Sequence, residues 1–443
     1  MTKAKPKFET LFFIFLICSP LLDIATGIQF YLNSEGELMR NGSHLVVNQT
    51  FSLSLIVRMA MMVFMAVYVI YTKQHKILVV FGLIGVSWAI TAIVNFSNPN
   101  FDFIEDLLYI CKFSFNLLSL LAYWSVFSKA SMSKQDLQDK IDKILCWTIL
   151  IVSVAVIIPY FFGVGYYTYS DKLGYRGCRG FFFSGNDVTA LLMLLLPVSF
   201  AMLQKYANKA NRSKVTLVLF IITPACATVS LLIIGTKTAF LAVGATYIAI
   251  FIYQIINAVI SRDTKAITLF GFAVLATLIV YFIAYIITKG DIYNSIVASF
   301  NVTGDYAKKA GAEAVVFSGR TEKLKNAIEQ FISSMPISAL FGISRGTQKY
   351  IIEMDIPEVF LYYGLIGTVT MLWIYVKNGI QVIYNLFKNF SYTIFCCAIS
   401  LGLTFGYLTT AGHTLFSVTS GFYFAFVLLY SRMFTNSKNA NII

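Results

Sequence analysis

The chain has 443 residues, 58% hydrophobic and 12% charged, with a formal net charge of +13 and a mean hydropathy of +0.74. Soluble globular domains carry about 45–50% apolar and about 25% charged residues, so the composition excludes an ordinary soluble domain and points to a polytopic membrane protein. The basic residues sit in short clusters between long apolar runs and form no stripe with interleaved aromatics, which excludes nucleic acid as a partner.

The opening MTKAKPKFE leads into an apolar run that continues to about Tyr31, with no small-residue cleavage site, so it reads as a retained first helix. A spanning helix needs about 20 mainly apolar residues. About twelve segments meet or approach that, at roughly 10–31, 51–72, 77–95, 103–128, 144–163, 184–203, 215–234, 238–257, 266–287, 357–376, 392–411 and 414–431. The expected fold is all-α, a single polytopic membrane domain. Residues 1–287 supply nine spans and an Arg-bearing outer loop at 164–183. Residues 288–356 form one large extracytoplasmic loop, and 357–443 supply the last three spans. Within the large loop Leu324, Ala327, Ile328, Phe331 and Ile332 recur at helical spacing between charged residues, which predicts an amphipathic helix. The seven cysteines show no metal-ligand spacing, and their odd number gives no disulfide framework.

Every alternate loop is basic, from Lys3, Lys5 and Lys7 through Lys73, Lys140, Lys205, Arg262 and Lys377 to Arg432 and Lys438. The positive-inside rule then puts both termini in the cytosol. It also singles out the basic residues that fall on the other side. Arg176 and Arg179 lie in GYRGCRGFFFSGNDVTALL, whose glycines Gly174, Gly177, Gly180 and Gly185 would let the backbone approach a ligand. Guanidinium groups suit phosphate because two parallel N–H groups match two oxygens. Lys237 occupies a very short turn in IIGTKTAFLAV, and Arg320 opens the amphipathic helix after Ser318 and Gly319. A cation beside a helix N-terminus suits an anion. Arg345, further along the same loop, joins this set as a substrate-binding candidate.

Acids stand out at EMDIPEVFLYYGLIG. Asp355 and Glu358 are in capping-box relation, with Pro357 in the first turn, so the start of a helix explains both. Glu353 precedes the cap and is left as a base or as the partner of an arginine. His413, in TTAGHTLFS, is the other candidate base. Inside the spans, Asp23 and Arg58 both lie about 12 Å deep. Charges at such depth tend to pair, so we expect an ion pair between them.

The stretch SGRTEKLKNAIEQFISSMPISALFGIS, followed by EMDIPEVFLYYGLIG, resembles the outer-loop region of the O-antigen ligase/O-antigen polymerase superfamily. RGFFFSGNDVTALLMLLLP is similar to that family's Arg-Gly-x-Phe…Asn segment, and GTKTAF to its Thr-x-Ser-Arg turn. The resemblance covers about 165–430, and within the family it is closest to repeat-unit polymerases of capsule and exopolysaccharide clusters. It implies a bundle of about a dozen spans in the bacterial cytoplasmic membrane. It further implies a glycosyltransferase that joins undecaprenyl-diphosphate-linked oligosaccharides on the outer face, with no metal or other cofactor. Membrane lipid, a chain-length regulator and a flippase are the further partners it implies. Arg179, Lys237 and Arg320 fall where the family keeps diphosphate-binding or catalytic basic residues, Lys237 replacing the usual arginine. Where the ligases keep a histidine, this chain has Glu353, which favours the polymerase branch. The expected base is Glu353 first, then His413, with Asp355 as an orienting partner. Two alternatives stay open: a ligase-type transferase with a different acceptor, and a transporter or flippase of lipid-linked glycans.

Overall fold

In a bilayer, backbone N–H and C=O groups find no water, so an open chain satisfies them only as helix. The computed structural model describes residues 5–33, 53–72, 75–129, 132–169, 176–210, 212–262, 264–317 and 320–434. Among these, eleven helices are long and apolar enough to cross a membrane, and the fold is that of an all-α polytopic membrane protein. The first helices are α1 (Lys5–Asn33), α2 (Leu53–Tyr71), α3 (His75–Asn95), α4 (Phe103–Lys129) and α5 (Lys134–Phe161). A short hairpin follows, β1 (Tyr167–Tyr169) and β2 (Arg176–Cys178), antiparallel with Tyr167 opposite Cys178. Next come α6 (Gly185–Ala207), α7 (Lys214–Ile234), α8 (Lys237–Ser261), α9 (Lys265–Ile287), α10 (Asp291–Phe317), α11 (Arg320–Ser333) and α12 (Ile337–Phe341). The chain ends with α13 (Asp355–Lys388), α14 (Tyr392–Thr410) and α15 (Ser420–Tyr430).

Chain contacts divide the protein into two units, one of residues 1–60, 130–304 and 390–403, the other of residues 61–129, 305–389 and 404–443. In the first unit, α7 packs against α5, α6 and α9, and α6 is buried along nearly its whole length. Lipid tails are as apolar as leucine, so hydroxyl bonds and close packing hold such helices together. Tyr247 of α8 bridges Thr228 of α7 at 3.0 Å and Thr277 of α9 at 2.8 Å. Deep in the same unit, Arg58 Nη2 lies 2.7 Å from Asp23 Oδ2 and Nη1 donates to Ser54 Oγ at 2.8 Å. Removing one partner of a buried pair leaves an uncompensated charge, at a cost of about 3–5 kcal/mol. Asp23→Ala is therefore expected to lower the thermal midpoint of the detergent-solubilised protein by several degrees. Asp23→Ala/Arg58→Met should recover most of that loss, whereas equal midpoints for wild type and Asp23→Ala would show that the pair contributes nothing.

In the second unit, α13 packs against α3 and α12, and α15 packs against α4. The motif YYGLIG explains a kink in α13. Gly364 leaves the helical conformation at φ 64°, and a Cβ there would lie 2.4 Å from the Leu340 carbonyl carbon. The kink leaves the carbonyls of Leu361 and Tyr362 for the preceding loop, whose Ile343 and Ser344 N–H groups donate to them at 2.9 and 2.8 Å. Asp106 of α4 then holds the turn that follows, accepting from the N–H groups of Arg345 at 3.0 Å and Gly346 at 3.3 Å.

Two expectations are corrected. The segment 414–431 is not a full span: α15 has 11 residues, all buried, and at 1.5 Å per residue reaches about half the hydrocarbon thickness. The segment 288–356 is more helical than a loop with one amphipathic helix. It opens with the 27-residue α10, broken at Gly311, whose polar residues hid it from a search for apolar runs. The amphipathic helix is present as α11, with Ala327 and Phe331 buried and Ile332 exposed. Residues 170–175 of the Arg-bearing loop and Ser318 and Gly319 lie outside the described residues.

Candidate functional site

The acids of EMDIPEVF do not cap their helix. The N-cap of α13 is Met354, which makes no side-chain cap bond; Asp355 is used elsewhere, and Glu358 reaches back with one oxygen only, to the N–H of Glu353. Asp355 and Glu358 are three residues apart and so share a helix face; both are fully buried. Asp355 Oδ2 accepts the backbone N–H groups of Thr414 and Leu415 at 2.6 and 2.7 Å. These are the two residues after His413, so the carboxylate pins the loop that carries the imidazole. His413 Nδ1 then lies 3.4 Å from Asp355 Oδ1 and 3.7 Å from Glu358 Oε2, within ion-pair range. Glu358 is itself held by the N–H of Glu353 at 2.6 Å and by the hydroxyl of Tyr109. Tyr109 stacks on Phe416 at 3.9 Å, and both rings flank the imidazole at 5.8 Å. The His413 side chain is 18% exposed. The Nδ1 edge of the ring thus faces two carboxylates.

Glu353 stands beside this cluster in the left-handed region, at φ 66°, a conformation that costs a non-glycine residue energy. Its Oε2 accepts from Arg320 Nη2 at 2.7 Å, and its Oε1 lies 3.5 Å from Lys323 Nζ. Burial alone would raise the Glu353 carboxyl. Arg320, Lys323 and His413 outweigh it and hold the group below the usual carboxylate range. The guanidinium of Arg345 is taken up by Glu105 Oε2 at 3.0 Å and by the Gln348 carbonyl.

The other basic candidates belong to the first unit. Gly177 (φ 64°) and Gly180 (φ 61°) do permit a close approach, but to the protein's own backbone. A Cβ would lie 2.3 Å from the Ile234 carbonyl oxygen at Gly177 and 2.0 Å from that of Ala155 at Gly180. The hairpin is thereby seated against α5 and α7. Arg179 follows it, over the ring of Tyr166 at 5.5 Å and alongside Gly185, the first residue of α6. Burial lowers its guanidinium from the ordinary value, and its Nε has no hydrogen-bond partner among the described residues. Lys237 is the first residue of α8, after the N-cap Thr236, whose hydroxyl accepts from Ala239 N at 3.1 Å. A lysine there opposes the helix dipole, and an anion at the same end would offset that cost.

The sequence reading singled out Glu353, Asp355 and His413, and the fold brings them together with Arg320 in the second unit. It missed Tyr109, Lys323 and the part played by Glu358. Only Glu358 left a signal, its three-residue spacing from Asp355. The donor atoms of Asp355, Glu358 and His413 lie within 4.8 Å of one another, so these three residues are the set that a divalent cation would use. However, both oxygens of Glu358 and one of Asp355 already accept hydrogen bonds.

Eleven apolar helices among the described residues define a multi-pass membrane protein, and in it an imidazole is set against two buried carboxylates. A family described as O-antigen ligase like membrane protein matches residues 5–296, and the chain belongs to that family. The match points to glycan transfer at a membrane with lipid-linked oligosaccharides as substrates, and it includes Arg176, Arg179 and Lys237. No curated protein and no solved structure gives a significant match.

Proposed function

We propose that the protein is a polymerase that joins undecaprenyl-diphosphate-linked oligosaccharide repeat units on the outer face of the bacterial cytoplasmic membrane, with both termini inside. The observation that carries the chemistry is the imidazole of His413 set against Asp355 and Glu358. An acceptor sugar hydroxyl attacks the donor's anomeric carbon. Its proton passes to His413 Nε2, the anomeric C–O bond breaks, and the pair of electrons leaves with the lipid diphosphate. Asp355 and Glu358 stabilise the imidazolium that forms, as a buried carboxylate does for a catalytic histidine. Glu353 is the weaker candidate for the base, because its lowered carboxyl is already ion-paired with Arg320. Arg320 is the cation for the developing diphosphate charge, since preorganised donors act most strongly where charge builds. In the first unit, Arg179 and Lys237 are proposed to hold a lipid diphosphate.

The reaction needs no metal on this reading. Purified protein in detergent, supplied with lipid-diphosphate-linked repeat units, is expected to lengthen the glycan at an undiminished rate in excess EDTA. A complete stop that Zn²⁺ or Mg²⁺ reverses would instead assign Asp355, Glu358 and His413 to a cation. A transporter would need sealed vesicles to show activity, and a ligase would move finished chains only to a different acceptor.

A further inference from the structure

The first unit contains a cavity of about 290 Å³ to which the steps proposed above assign no group. Tyr160, Tyr166 and Tyr167 contribute to its walls, with Arg176, Asp291 and Asn294 among its polar groups. The volume is near the lower end of small-molecule sites, about 300–1,000 Å³, which suits a single ring and not a chain. Arg176 is 8% exposed. It lies over the ring of Tyr169 at 4.7 Å and donates one bond to the Ala298 carbonyl at 3.3 Å. Its Nε has no hydrogen-bond partner among the described residues. Asp291 opens α10, and its Oδ2 accepts from the Tyr160 hydroxyl at 3.0 Å, which fixes the carboxylate at the cavity edge.

This lining is a poor anion site, because its one guanidinium shares the cavity with a carboxylate. It is a good match for a hydroxyl-rich ring. A carboxylate accepts sugar hydroxyls through several lone pairs, a guanidinium donates to hydroxyl or ring oxygens, and an amide does both. Tyrosine rings offer flat apolar faces to the C–H side of a pyranose, with a hydroxyl at the wet edge. We propose that this cavity binds one uncharged sugar ring, with Asp291 and Arg176 as its polar contacts and Tyr160 positioning Asp291. The assignment rests on the glycan-transfer reading, which identifies the sugar as a residue of the lipid-linked glycan.

The test is saturation-transfer NMR on the full chain in lipid nanodiscs, which avoids sugar-headed detergents. The probes are free hexoses, 6-deoxyhexoses and N-acetylhexosamines at millimolar concentration. Transfer to the ring protons of at least one of them is expected, unaffected by inorganic diphosphate. Asp291→Asn keeps an acceptor for Tyr160 but loses the charge, and should weaken binding about tenfold, the scale of one charge-assisted hydrogen bond. Ala298→Phe, which fills the cavity and removes no polar group, should abolish binding with the thermal midpoint unchanged. No transfer from any probe, equal affinity in wild type and both variants, or displacement by diphosphate would each overturn the proposal. Sugar binding lost with glycan transfer intact overturns this inference alone. Binding retained in a protein that transfers no glycan overturns the functional reading alone.

Discussion

Replacing His413 with alanine is expected to lower the rate of glycan transfer by about 100- to 10,000-fold, the range that a positioned general base contributes. The variant should still fold, because the contact that pins its loop runs from the Thr414 and Leu415 backbone to Asp355 and does not involve the imidazole. The pH–rate profile adds a second readout. Its shape should differ between wild type and His413→Ala, because only wild type carries the imidazole that exchanges the proton. Asp355→Asn should fall between the two, since it keeps an acceptor for the loop and loses the charge that stabilises the imidazolium. A His413→Ala enzyme within a few-fold of wild type would remove the imidazole from the mechanism.

Arg320→Ala is expected to cost about 100- to 1,000-fold in turnover, the scale measured for removing one preorganised donor from a developing negative charge. Glu353→Gln should cost far less, within about tenfold, if the carboxylate positions Arg320 and accepts no proton; a general base would cost at least about 100-fold. The linkage between pH and stability gives an independent check. The Glu353 carboxyl is lowered in the folded protein. Its contribution to stability is therefore fully present above the ordinary carboxylate range and is lost as pH falls through the lowered folded value. The thermal midpoint of Glu353→Gln should lie below wild type at neutral pH, and the two should converge at strongly acid pH. A constant gap between them would contradict the ion pair's role, and a Glu353→Gln loss as large as that of Arg320→Ala would return Glu353 to the place of base.

The spans were legible because apolar runs of the right length leave no alternative to helix. α10 was not, because its charges and glycines interrupt any such run, and α15 was over-read because a short, fully buried helix and a short span have similar composition. Spacing alone placed Asp355 and Glu358 on one face, and capping was the nearest local explanation for two acids at a helix start. What overrode it was partners far away in sequence, the loop after His413 and the hydroxyl of Tyr109, 249 residues before Glu358. Gly177 and Gly180 of GYRGCRGFFF show the same limit. Their small size marked a close approach, but only the fold reveals that the approaching groups are backbone carbonyls of α5 and α7.

Bond exchange at a lipid diphosphate is the central step of the proposed reaction. Purified protein in detergent, given a lipid-diphosphate-linked oligosaccharide, should release one free lipid diphosphate for each new glycosidic bond. Both products should appear without sealed vesicles, and the two should slow together, by the same factor, in His413→Ala. Movement of the intact lipid-linked glycan across sealed vesicles, with no release of lipid diphosphate in detergent, would contradict it.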